Sequence, residues 1–197
     1  MATVEFRLLG NLEVVRGETV VAVGGPKQRA LLAILLLHAN EVVATERLAD
    51  KLWGGEPPMS ATATLQSHIS GLRRALAAGG VDDAALIVTR PPGYGIEVDP
   101  GQLDVTRFEA EVARGQQALR AADWARAAGS FRQALALWRG PALADFAYKE
   151  FAQAEATRLE EARLRTFEHR VEADLALGRH ADVVGELESF VAANPLR

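Results

Sequence analysis

Residues 60–98 constrain the fold of this chain more than any other stretch. SATATLQSHISGLRRALAAGG places Leu65, Ile69, Leu72 and Leu76 on one helical stripe. LIVTRPPGYGIEV, which follows, has the pattern of a tight β-hairpin, with Pro92 and Gly93 as its corner residues. At about 100° per residue, Ser60, Ala63, Ser67, Ser70, Gly71 and Arg74 fall on the side of the helix opposite that stripe. This outer face is narrow, small and polar, and it ends in the basic pair Arg73–Arg74. A slim helix with a cationic end fits a DNA major groove. Arg90, just before the hairpin turn, is placed to touch the neighbouring backbone or minor groove.

The upstream residues supply the rest of such a unit. VEFRLLGNLEVVRGETVVAVGG alternates in the manner of a small antiparallel sheet, with turns at Gly10–Asn11 and Arg16–Gly17. Pro26 opens a helix, PKQRALLAILLLHAN, for which Asn40 is the expected C-terminal cap. Thr45 is placed to cap a short helix closing at Gly54–Gly55, and Ser60 to cap the long helix. Sheet, three helices and hairpin make an α+β winged helix-turn-helix over residues 1–98.

Beyond Asp99 the composition changes to Ala, Arg, Glu and Leu, predicting an all-α domain over 99–197 with helices at 104–121, 123–138, 147–177 and 180–193. ADWARAAGSFRQALALWRG and LGRHADVVGELESFVAANP superimpose at an offset of 56 residues, aligning Trp124 with His180 and Phe131 with Leu187. The first copy resembles the second helix of a tetratricopeptide repeat. The period exceeds the usual length of about 34, so the repeat is degenerate, with RGPALADFAYKEF as an irregular insert. Trp124, Phe131, Trp138, Phe146, Tyr148, Phe151 and Phe167 read mostly as core; some around 138–151 are candidates for lining a groove.

Charge does not by itself announce a nucleic-acid partner. The chain carries a net charge of −4; residues 1–100 hold 9 Lys/Arg against 11 Asp/Glu, and residues 101–197 hold 13 against 15. Few phosphate contacts are therefore expected, with modest single-subunit affinity and a shallow salt slope. The chain contains no cysteine, which excludes disulfides and thiolate metal sites. The apolar run Ala30–Leu37 is too short to span a bilayer, and MATVEFRLLG lacks the features of a signal peptide. The expected location is cytoplasmic, with the bacterial nucleoid.

PKQRALLAILLLHANEVVATERLADKLWG, TLQSHISGLRRAL and VTRPPGYGIEV resemble the OmpR/PhoB-type winged helix. LDVTRFEAEVARGQQAL and FAQAEATRLEEARLRTFEHRVEADLALGRHADVVGELESFVAANPLR resemble the bacterial transcriptional activation domain. Together they resemble the SARP/AfsR class of transcriptional activators. That resemblance implies binding to double-stranded DNA at tandem promoter-proximal sites, a homodimer on DNA, and recruitment of RNA polymerase holoenzyme, often for secondary-metabolism genes. It implies base reading from Ala63, Thr64, Ser67 and Gly71, phosphate contacts from His68 and Arg73, and a wing contact from Arg90. Gly71 stands where related helices carry a large basic residue, whose loss removes roughly 1–3 kcal/mol of discrimination. Readout would then rest on Thr64, Gln66 and Ser67, or on DNA shape. The family's pattern continues into further helices, so the chain reads as part of a longer regulator.

Other features take plain readings. Gly24–Gly25–Pro26–Lys27 lacks phosphate-loop spacing and reads as a strand-to-helix turn. His38, His68, His169 and His180 show no metal-ligand spacing; Asp82–Asp83 read as loop, and Glu160–Glu161 as a solvated helix face. No catalytic constellation, cofactor or metal is expected. An adaptor whose winged helix contacts protein rather than DNA remains the alternative.

Overall fold

Pro26 at the first helical position and Gln28 three residues beyond Gly25 start the first long helix. The Gln28 side-chain oxygen accepts the Gly25 N–H at 2.8 Å, closing a capping contact around α1 (Pro26–Leu37). This is a computed structural model, and it describes residues 3–81 and 86–193; Asp82–Asp83 lie outside them.

The element order is β1 (Val4–Arg7), β2 (Glu13–Arg16), β3 (Thr19–Val21), α1, β4 (Val43–Ala44), α2 (Thr45–Trp53), α3 (Ala61–Ala78), β5 (Ile87–Arg90), β6 (Gly93–Ile96), α4 (Asp104–Arg120), α5 (Trp124–Leu135), α6 (Glu150–Ala176) and α7 (His180–Ala193). One antiparallel sheet runs β1-β2-β3 and a second runs β4-β6-β5. The α+β winged helix-turn-helix and the helical half both stand as expected. The short strand β4, which no alternation marks, pairs Val43 with Tyr94 and Ala44 with Gly93, and so holds the wing hairpin to the helices.

By packing, the chain forms two compact units. One comprises residues 1–107 with 138–160, the other 108–137 with 161–197. These units do not follow the expected cut at 98/99. The reason lies in the loop of residues 8–12, whose Leu8, Leu9 and Leu12 are buried. Buried backbone polar groups need partners. The Leu8 and Leu9 N–H groups donate to the Asp104 carboxylate at 2.8–2.9 Å. The Leu8, Leu9 and Gly10 carbonyls accept from the N–H groups of Leu143 (2.9 Å), Arg139 (2.8 Å) and Ala144 (3.1 Å). Asp145 accepts the Leu12 N–H at 3.3 Å and also binds Arg29. The segment read as an irregular insert is thus a structural part of the first unit.

Several expected caps differ. α1 ends at Leu37; Asn40 instead takes a positive φ of 66° and clamps Val98 with both side-chain atoms at 3.0 Å. Thr45 is inside α2, and its hydroxyl donates to the Pro92 carbonyl at 3.1 Å. Ser60 flanks α3 without a side-chain capping bond, its hydroxyl lying 3.3 Å from that of Thr64. The wing turns at Pro91–Pro92, because Gly93 is already paired with Arg90 and Ala44. Glu160 is not merely solvated: its carboxylate accepts the Ala142 N–H at 2.8 Å.

The second unit is built from the helical residues. Ala118, Ala127, Ala128, Phe131 and Ala173 form its core, with Leu119 and Leu177 packed against it. Trp124 and His180, aligned by the 56-residue offset, are the first residues of α5 and α7. Buried Asp174 binds Arg132 and Arg179, and Arg170, itself buried, lies 4.0 Å from it, so this buried carboxylate has three cationic neighbours.

Candidate nucleic-acid interface

The outward face of α3 is assembled by what its inward face buries. Leu65, Ile69, Leu72 and Leu76 are at most 2% exposed, which fixes the helix's rotation. Thr62, Ala63, Gln66, Ser67, Ser70, Arg73 and Arg74 are then exposed, with Thr64 and His68 half-buried on the flanks. Ala63, Gln66, Ser67 and Arg74 therefore stand together on one solvent-facing strip. Thr62 and Ser70 share it and are absent from the family-derived set, although helical spacing from Ser67 and Arg74 already points to Ser70.

Gly71 is a correction. It is buried rather than outward, and an added Cβ would lie 2.2 Å from the Gln28 side-chain nitrogen. At about 100° per residue it sits some 60–80° from the centre of the outer strip, on the flank where α1 passes. The small residue is explained by helix–helix approach, so no base contact is missing from the outer strip on its account.

Arg73 belongs to the wing as much as to the helix. Its guanidinium donates to the Ile87 carbonyl at 2.7 and 3.2 Å and to the Thr89 hydroxyl at 2.9 Å. Arg90 pairs with Glu97 at 2.5 Å, and the two side chains are 60% and 42% exposed. Such an exposed pair contributes little and yields readily to a competing anion. Arg74 makes no ion pair or hydrogen bond among the described residues, so it is the cation of the helix left for a ligand. The His68 ring packs 6.3 Å from the Trp53 ring, which ties this flank of α3 to the end of α2.

Among the described residues, no three His, Cys, Asp or Glu side chains are grouped to hold a metal ion. No helix among them is long and apolar enough to cross a membrane.

Residues 19–96 match the family model described as "transcriptional regulatory protein, C terminal", and residues 103–197 match that of the bacterial transcriptional activator domain. The regulatory protein DnrI of Streptomyces peucetius is 39% identical over 197 residues, covering 98% of this chain and 72% of DnrI. The chain belongs to the SARP/AfsR class of transcriptional regulators. A second relative, the transcriptional regulatory protein EmbR of Mycobacterium tuberculosis, is 36% identical over 200 residues. The solved structure of EmbR in complex with a low-affinity phosphopeptide superimposes with a TM-score of 0.95 at 35% identity, covering 100% of this chain and 52% of EmbR. This SARP/AfsR-class chain thus spans about half the length of EmbR.

Proposed function

We propose that the chain is a transcription activator that binds double-stranded DNA by laying the outer strip of α3 in the major groove, with the β5–β6 wing beside it. The observation that carries this reading is that strip itself: a row of small and polar side chains with an unpaired Arg74, on a helix whose opposite stripe of Leu65, Ile69, Leu72 and Leu76 is buried. Gln66, Ser67 and Thr64 supply donors and acceptors for base edges, and Ala63 supplies an apolar contact. Arg74, the free face of Arg73, Arg90 once released from Glu97, and His68 supply phosphate contacts. These are few, so two chains on tandem promoter-proximal sites gain affinity through effective concentration, as a homodimer formed on DNA. Residues 103–197 support the activating role by their match to an activator domain, with RNA polymerase holoenzyme as its partner and secondary-metabolism genes as the target class. The site of action is the cytoplasm.

The test is a gel shift of the whole chain on duplexes from promoters around its own gene. Arg74→Ala should weaken binding and lower the salt slope by about 1, whereas Gln66→Ala should relax sequence preference. Unchanged affinity for both Arg74→Ala and Arg90→Ala would sink the assignment.

A further inference from the structure

The first unit contains a cleft of about 630 Å3 between the end of α2 and the start of α6. Lys27, Lys51 and Lys149 line it together with Trp53, Tyr148 and Phe151. Asp50 and Glu150 are also in the lining, yet no carboxylate lies within ion-pair distance of any of the three lysines among the described residues. In a chain of net charge −4, three ammonium groups without carboxylate partners around one hollow are not a solvated average surface. Lys27 donates to the Leu52 carbonyl at 2.8 Å and stands 5.5 Å over the Trp53 ring. Burial, and after it the charge of Lys149, holds the Lys27 ammonium below the usual lysine range, so a bound anion would relieve the site. Tyr148, 97% exposed, extends the aromatic wall into solvent.

We propose that this cleft binds a small flat anion, an aromatic carboxylate or a ligand of that chemistry, with its ring against Trp53 and Tyr148 and its charge on Lys27 and Lys149. Aromatic walls take up the ring face and the two ammonium groups take the carboxylate, the usual division of labour in a ligand pocket. Trp53 is also the ring against His68, so occupancy is reported on α3.

The probe is 1-naphthoate titrated into the whole chain by calorimetry, with 1-naphthylmethanol and 1-naphthylmethylamine as the neutral and cationic counterparts. The His68 imidazole signals are followed by NMR. Naphthoate should bind at least about tenfold more tightly than either counterpart, and shift His68. Lys149→Glu and Tyr148→Ala, both at exposed positions, should each weaken it about fivefold or more without changing the melting temperature. Absence of naphthoate binding, equal binding of the amine, or binding indifferent to both substitutions would overturn the proposal.

Discussion

Gly71 and Gly93 show how differently two buried glycines answer an added methyl. At Gly71 the obstacle is the amide end of Gln28, which can swing away. Gly71→Ala then sacrifices the Gln28–Gly25 capping contact and regains up to about 1 kcal/mol of helix propensity. Urea unfolding should show a net change within about 1 kcal/mol. At Gly93 the obstacle is the Val43 carbonyl oxygen, 1.9 Å from the added carbon, in the backbone of the paired strand β4. Gly93→Ala should cost at least about 2 kcal/mol, because nothing there moves without breaking the wing's attachment. Asp104 adds a pH signature. Burial raises its carboxyl above the ordinary 3.8, against the opposing pull of the Leu9 and Leu8 N–H groups and Arg139. A group whose folded-state pKa is raised contributes stability that is complete below the unfolded value and lost as pH climbs through the folded one. The stability difference between wild type and Asp104→Asn, measured by paired urea titrations from pH 3.5 upward, should therefore move against the wild type as pH rises. The opposite slope would show that the N–H donors prevail.

At the level of elements, the link between α3 and β5 is made by a side chain that reads, in sequence, as a phosphate contact. Arg73→Ala should speed amide exchange across Ile87–Ile96, measured by hydrogen–deuterium exchange. Arg73→Lys should recover at most part of the protection, since one ammonium cannot match a guanidinium fork on both Ile87 and Thr89. The elements themselves are legible in the sequence: α1 and α7 begin at the expected Pro26 and His180, α5 begins one residue after the expected 123, and the Leu65–Leu76 stripe lies within α3. What periodicity cannot report is the occupancy of a polar side chain. Asn40, Thr45 and Glu160 all looked like local or solvated residues, and each is spent on a backbone group of another segment. Gly71 reads as outward for the same reason, because its neighbour Gln28 on α1 is distant in sequence. The cleft around Lys27 and Trp53 leaves no local sequence signal because its two walls are about a hundred residues apart.

For the whole molecule, the first unit is completed by residues that lie far beyond its winged helix. Asp145→Ala should lower the stability of this unit by about 1 kcal/mol or more in urea unfolding followed by Trp53 fluorescence, since the Leu12 N–H and Arg29 lose a shared acceptor. The shift in composition after Asp99 marks where the helical residues begin, but nothing in it marks the packing of 138–160 with the first unit. That packing depends on hydrogen-bond accounting around Leu8, Leu9 and Gly10, which leaves no trace in hydropathy. It bears on how the protein is made. On a ribosome the β1–β2 loop emerges among the first residues, with its carbonyls facing water. Their partners at Arg139, Leu143 and Ala144 are not synthesised until α4 and α5 have already been translated. Domains generally fold as units during synthesis, and here the first unit waits for residues 108–137 of the second to be made before its own last hydrogen bonds close.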